Sequence, residues 1–510
     1  MDALFVPLAS AIGASVDQIK LISCLLIACP LGSLFIRIPS SQPNLKHCFN
    51  LLVSVFFFIP VLNLSWGFAQ LLGSVLGTYY IAGNVKGPNM PWIVFVFVMG
   101  HLTINHIIRA FYNLSYETFE VTGPQMVLTM KLTTFAWNVW DGRTAPENLD
   151  KWQFQKRVTK YPTLLEFLGY SFYFPGILVG PYLDYASYMS LIDESLFKSA
   201  EGKRANSSRS IPDGRKRVAY RKMLTGLVFL GIFVVLSPSF YYGIAITPWF
   251  MTNGFLYRMA YFQLCGFIER SKYYAIWTLT EGASILTGLG FTGYGPSGES
   301  IWDGAANVKI LEIELPSNFK VLLDSWNINT NIWLRECIYK RVTPKGKKPG
   351  FRSSMLTFAT SAFWHGIATG YYLTFFFGGF ITTAGRLCRA NLRPLVLPPP
   401  GVPTTTTKRI YDWAGTLASI LILNYVAAPF MLLTFTDSIG AWHTLHWYGF
   451  WMVFPTIAFF WFGGSKFLKA LQKKEGKATA EKVMTPESHV MPPPLDDVAE
   501  ELKELQKRMK

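Results

Sequence analysis

The chain reads as an all-α polytopic membrane protein, and three observations carry that reading. Of its 510 residues, 51% are hydrophobic and 16% aromatic. Only 15% are charged, against about 25% in an average soluble domain. Apolar blocks long enough to cross a bilayer, about 20 residues each, recur along most of the length. The opening residues, MDALFVPLASAIGASVDQIK, lack the basic n-region and small-residue cleavage site of a signal peptide. The first span is therefore expected to remain as an uncleaved anchor.

Taken in order, hydropathy places spans near 18–37, 48–66, 67–84, 91–112, 120–140, 162–182, 223–245, 249–268, 273–292, 353–385, 412–436 and 440–463. Two of these carry Gly and Pro at close spacing, FPGILVGP (174–181) and EGASILTGLGFTGYGP (281–296). Both are expected to be broken or re-entrant, because non-helical backbone at membrane depth survives only inside protein or beside a wet cavity. Close helix packing would explain the glycines equally well. No long internal repeat is visible, which weakens a transporter built from inverted halves.

The net charge of +16 gathers in connecting segments. Residues 201–222 hold eight Lys/Arg against two acids, and residues 335–352 hold seven against one. Positive connecting loops stay on the cytoplasmic side, so both are assigned there. Clusters lying between membrane segments, with no basic soluble domain, argue against a nucleic-acid partner. Cys24, Cys29, Cys48, Cys265, Cys337 and Cys388 are scattered, without a Cys-x-x-Cys or Cys/His pattern, so neither a metal site nor a disulfide framework is expected.

After Gly385 the segment RLCRANLRPLVLPPPGVPTTTTKR is basic and proline-rich and reads as a cytoplasmic connector. The uncharged run 353–385 would then begin and end on one face. As a single helix it would extend about 50 Å, too long for a hydrocarbon core about 30 Å thick unless steeply tilted. Either it bends back, with Gly378-Gly379 as the candidate hinge, or one side assignment fails. His365 is the one histidine in that run. A polar group at such depth is costly and faces a cavity or a partner. The other histidines read differently: His443 and His446 as interfacial residues among tryptophans, His101 and His106 as packing or cavity-wall residues.

Just upstream lies SWNINTNIWLRECIYKR (325–341). If helical, it would set Asn327, Asn331 and Arg335 on one face at i, i+4 and i+8, with Asn329 turned away. Trp326, Trp333 and Tyr339 supply an amphipathic body suited to an interface. Asparagines are poor helix formers, so three in five residues call for a reason. Arg335, Lys340, Arg341, Lys345, Lys347 and Lys348 would suit a phosphate-rich ligand such as coenzyme A, or a plain positive-inside loop.

WNINTNIWLRECIYKR followed by FWHGIATGYY resembles the paired signature of the membrane-bound O-acyltransferase family, in its lysophospholipid acyltransferase branch. VTGPQMVLTMKLTTFAWNVWDGR (121–143), FPGILVGPYLDYASY (174–188) and IWTLTEGASILTGLGFTGYG (276–295) add to the likeness, which runs from about 90 to 465. The resemblance implies about 11 transmembrane helices, some broken or re-entrant, around a central tunnel. N-terminal helices (1–90) would precede a catalytic core (91–465) and a polar cytosolic tail (466–510). The family histidine falls on His365 and the family asparagine on Asn327, while Asn329 and Asn331 remain alternatives. Trp326, Asn331, Trp333, Arg335, Lys340, Arg341, Trp364 and Glu281 are the further candidates for substrate contact.

The implied reaction moves a fatty acyl group from acyl-CoA, as co-substrate and with no other cofactor, to the free sn-2 hydroxyl of a lysophospholipid in the endoplasmic reticulum membrane. His365 would act as general base, and Asn327 would donate to the oxyanion or orient a substrate. Cys337 has no neighbouring base in the sequence to make it an acyl carrier. The competing readings are a transporter or scramblase, which leaves the WN…WHG pairing unexplained, and the same fold acylating a sterol, diacylglycerol or protein. The sterol-branch signature is absent, LLDSWN being the nearest text.

Overall fold

Apolar segments bounded by caps, prolines and glycines fold as helices throughout the computed structural model, which describes residues 1–114, 118–200, 211–343, 351–399 and 401–474. The basic residues 201–210, Lys345, Lys347, Lys348 and the tail from 475 lie outside the described residues. Five helices are long and apolar enough to cross a membrane, namely Val16–Phe35, Pro43–Val61 with its π-helical last turn, Met90–Phe111, Arg215–Leu236 and Thr406–Leu432. Ser65–Asn84, Thr122–Gly142, Phe255–Thr287 and Thr369–Val396 are long enough as well, but none holds so apolar an 18-residue stretch. Among the described residues the only strands are Gly293–Tyr294 and Ser300–Ile301, paired antiparallel.

The chain divides into two compact units, one of residues 1–230 and 273–307, the other of 231–272 and 308–474 among the described residues. In the first unit, Met90–Phe111 packs on Thr122–Gly142, and Pro43–Phe56 packs on Leu164–Ser171. The latter helix starts at a capping box in which Thr163 and Glu166 satisfy each other's backbone N–H groups. It stops at Ser171, and the backbone through 184 is irregular and buried, so the expected break at FPGILVGP is present. Phe135, Phe167, Tyr170 and Tyr185 form an aromatic cluster beside it. Lys131 lies fully inside this unit, and its ammonium donates to the carbonyls of Tyr170 and Ser171. A buried cation is tolerable only with such partners.

The two spans expected near 249–268 and 273–292 are one helix, Phe255–Thr287. The polar stretch ERSK between them contains no Gly or Pro breaker, and its arginine is satisfied internally. In the second unit Arg270 donates to both carboxylate oxygens of Glu314, at 2.9 and 2.7 Å, and to the side-chain oxygen of Asn424. Conversely, the span expected at 440–463 is divided into Phe435–Thr444 and Tyr448–Phe459. The chain turns there through His446 and Trp447, both at positive φ. The second unit's core stacks Tyr425 on Trp442 at 5.3 Å and Phe377 on Phe450 at 4.7 Å.

The run 353–385 is also divided. Phe351–His365 and Thr369–Val396 pack against each other as a helical hairpin. The run does bend back, but at Gly366, whose φ of 139° is open to glycine alone at no steric cost. Gly378 and Gly379 are not the hinge. They lie within the returning helix, where a Cβ on Gly379 would stand 2.8 Å from the sulfur of Met355. Their small size lets the two helices approach closely.

Candidate active site

His365 is the last residue of its helix, so the hairpin turn begins at the residue that follows it. The half-buried imidazole sits in a ring cage: Trp364 at 4.7 Å, Phe430 at 4.8 Å, Phe375 stacked at 5.3 Å and Tyr371 at 5.6 Å between centroids. Tyr371 and Phe375 come from the returning helix, and Phe430 from Thr406–Leu432. These helices meet tightly at Gly370, whose N–H donates to the carbonyl of Leu433 at 2.7 Å. Any Cβ at Gly370 would stand 1.9 Å from the carbonyl oxygen of Pro429, so only glycine fits. The second glycine of HGIATG is thus set by packing, and the first by the turn.

Asn327 does not lie on a helix face. The helix Phe319–Ser325 ends before it, and Asn327 takes the left-handed conformation, φ 46° and ψ 51°, as the N-cap of Ile328–Leu334. Asparagine tolerates that region better than most residues, which gives the unexpected asparagine a backbone reason. Its carbonyl Oδ1 accepts from the Thr330 hydroxyl at 2.9 Å, which makes Nδ2 the donor end of the amide. Asn331 is used on the backbone: its amide donates to the carbonyls of Leu323 and Trp326, each at 2.8 Å. Both carbonyls belong to the helix end and turn that precede Asn327, so Asn331 holds that turn shut. The expectation of Asn327, Asn331 and Arg335 along one helix face fails because the helix begins only at Ile328.

Trp333 and Trp364 join the two segments, ring to ring at 5.5 Å. Trp333 is fully buried, and it lies six positions after Asn327, while Trp364 immediately precedes His365. Beyond Trp333 the helix widens into a π-helical turn, Arg335–Tyr339, which also packs on the histidine helix. Within that turn Glu336 is buried, contacting Nε of Arg335 at 2.7 Å and Nζ of Lys340 at 2.9 Å. Arg341 donates to the Glu336 carbonyl at 3.1 Å. Of these three cations, candidates for phosphate contact, Arg335 and Lys340 therefore neutralise an internal carboxylate, and Arg341 is held on the backbone of the same turn. Burial pushes the Asp324 carboxyl above the usual range, against the pull of Lys320 at 3.2 Å.

Asn327, Asn331, Trp326, Trp333, Arg335, Lys340, Arg341, Trp364 and His365 all fall in the second unit. Glu281 belongs to the first, where it is buried and paired with Lys222 at 2.8 Å. His101 and His446 have packing partners: His101 bonds Ser74 at 2.7 Å, and His446 meets Arg258 at 3.0 Å. The cage residues Tyr371, Phe375 and Phe430 escaped sequence reasoning. Tyr371 stands in the FWHGIATGYY motif itself, but nothing local marks Phe430 as its neighbour. Among the described residues, no group of three or more His, Cys, Asp or Glu side chains could hold a metal ion.

The fold and site define an α-helical membrane protein that brings a histidine and a tightly held asparagine onto broken helices of one unit. Residues 108–428 match the MBOAT, membrane-bound O-acyltransferase family. A lysophospholipid acyltransferase of Saccharomyces cerevisiae is 38% identical over 494 residues, covering 93% of this chain and 80% of that protein. The lysophospholipid acyltransferase of Schizosaccharomyces pombe is also 38% identical, over 88% of this chain and 86% of its own. Human membrane-bound glycerophospholipid O-acyltransferase 1 is 30% identical over 87% and 88% of the two chains. The chain belongs to the membrane-bound O-acyltransferase family.

Proposed function

We propose that the chain is an acyl-CoA-dependent lysophospholipid acyltransferase of the endoplasmic reticulum membrane, with its tail in the cytosol. A hydroxyl with a pKa far above 7 must lose its proton as it attacks a thioester, and a neutral imidazole suits that task. His365 takes the proton from the sn-2 hydroxyl of the lysophospholipid. That oxygen bonds to the thioester carbon, a tetrahedral oxyanion forms, and its collapse expels CoA thiolate, which carries away the charge. Asn327 offers its amide N–H to the oxyanion, and Thr330 and Asn331 hold it in place. No cofactor besides the acyl-CoA co-substrate enters these steps. The aromatic cage excludes water that would otherwise hydrolyse the thioester.

The observation that carries the proposal is the Trp333–Trp364 contact, which ties the asparagine turn to the histidine hairpin in a family of O-acyltransferases. The acceptor rests on the relatives, which are named for lysophospholipids. The test supplies one labelled acyl-CoA with a panel of lysophospholipids, a sterol, diacylglycerol and water as acceptors. Transfer to a lysophospholipid by the parent protein, lost in His365→Ala at unchanged expression, is the expected result. Transfer to sterol or diacylglycerol alone would reassign the acceptor, and lipid movement without consumption of acyl-CoA would replace the enzyme with a transporter.

A further inference from the structure

We propose that the helix Ser465–Lys474 lies at the membrane interface and binds anionic phospholipid headgroups through its lysines. From Ser438 to Ser465 the chain holds no Asp, Glu, Lys or Arg, and then Lys466, Lys469, Lys473 and Lys474 follow within nine residues. Such a switch marks the boundary between hydrocarbon and water. The backbone breaks at the same place. Gly463 takes φ 110° and ψ −4°, which ends the apolar helix and lets the basic one leave in a new direction. Trp461 and Phe462, just before the break, are 86% and 90% exposed. Bare aromatics beside a charge boundary belong at headgroup level, where an apolar ring and a polar rim are both satisfied.

The helix has two sides. Leu468 and Gln472, at i and i+4, are its buried residues, and it packs on Thr369–Val396. The Gln472 amide fastens it there by donating to the Asn391 carbonyl at 2.7 Å. At about 100° per residue, Lys466, Lys469 and Lys473 fall on the opposite side, and all are exposed. Phe467, on the flank between, is 65% exposed. No acid stands in the helix, and among the described residues none of its four lysines has an ion-pair partner. Lys340 and Lys408 differ, since Glu336 and Asp412 meet their charges. Like charges at i, i+3 and i+4 repel, so the row costs stability until anions meet it. An anionic bilayer surface meets both demands: lysine stems lie along hydrocarbon while the ammonium groups reach phosphate, and the aromatic rings leave water. A nucleic acid or an acidic peptide would answer the charge and leave Trp461, Phe462 and Phe467 bare.

The experiment places a fluorophore on this face of the full-length protein through Ala470→Cys, an exposed position among the lysines. Protein without the added cysteine supplies the background from the native ones. The labelled protein sits in phosphatidylcholine nanodiscs containing a trace of spin-labelled diacyl phosphatidylserine or, separately, spin-labelled phosphatidylcholine. Neither lipid has a free acyl-accepting hydroxyl and no turnover is read, so the outcome stands apart from the acyl-transfer reading. Phosphatidylserine is expected to quench about two-fold or more beyond phosphatidylcholine, with the ratio falling toward one in high salt. Lys466→Gln/Lys469→Gln/Lys473→Gln/Lys474→Gln should bring the ratio to one, and the matching arginine variant should keep it. Lys466→Gln/Lys469→Gln repeats the comparison if the fourfold variant does not fold. Equal quenching by the two lipids in the parent, or a ratio unchanged in the glutamine variant, overturns the proposal. Quenching by neither lipid overturns it as well, and shows that protein covers the helix.

Discussion

Asn327 sits in a turn closed by hydrogen bonds, whereas His365 sits at a helix end closed by rings. Thr330 fixes the direction of the Asn327 amide, and Asn331 pins the two carbonyls before it. Around His365 four aromatic side chains set the position of the ring. The difference fits the role proposed for each group. An amide that donates to a developing charge needs one of its two ends aimed, which only directional bonds can do. An imidazole that takes up a proton needs a fixed location and little water, which apolar packing supplies.

The contrast can be broken at several points. His365→Ala should lose about 10²–10⁴ in turnover, the worth of a positioned general base, with the protein still folded in detergent. Near-normal acyl transfer by that variant would remove the base from the mechanism. Asn327→Gly is the sharper test at the other segment, because glycine keeps the left-handed backbone and deletes only the amide. Turnover should fall about 10²–10³, as for a lost oxyanion donor. If Asn327→Gly is fully active, the asparagine serves the turn alone.

Smaller effects probe the supports. Phe430→Ala should slow turnover by about ten-fold to 10²-fold by letting the imidazole wander, and Phe430→Leu should recover much of it. A Phe430→Ala enzyme as fast as its parent would show that the cage is ordinary packing. Asn331→Ala strands two backbone carbonyls and should cost about 1–3 kcal/mol of stability, measured as a lower unfolding midpoint. Asp324→Asn should act in the opposite direction. The folded-state carboxyl is raised, so ionising it as pH rises through that value costs stability, while below the unfolded pKa near ~4 the cost is absent. The variant should therefore unfold at a higher temperature than the parent at neutral pH, with the gap closing in acid. A gap that is constant with pH would mean that Asp324 is not the titrating group.

Legibility in the sequence tracked the range of the interaction. The helical membrane class, the broken backbone at 174–181, and His365 and Asn327 as candidates were all readable, because composition and local motif encode them. Where local cues ran out, the reading slipped. ERSK at 269–272 suggested a gap between spans, yet Arg270 finds Glu314 and Asn424 and the helix continues. Gly378-Gly379 suggested a hinge, yet Gly379 makes room for Met355, and the chain turns at Gly366.

By itself, then, the sequence determined which segments are apolar enough to leave water and which residue types could perform acyl transfer, since side-chain chemistry travels with the residue. The tertiary structure decided the neighbours: that Trp333 meets Trp364, that Phe430 reaches His365 from another helix, that Glu336 absorbs cations that would otherwise await a ligand. Such contacts join residues distant along the chain or set the pitch of a turn. They arise from packing and charge pairing in three dimensions, which no local pattern records.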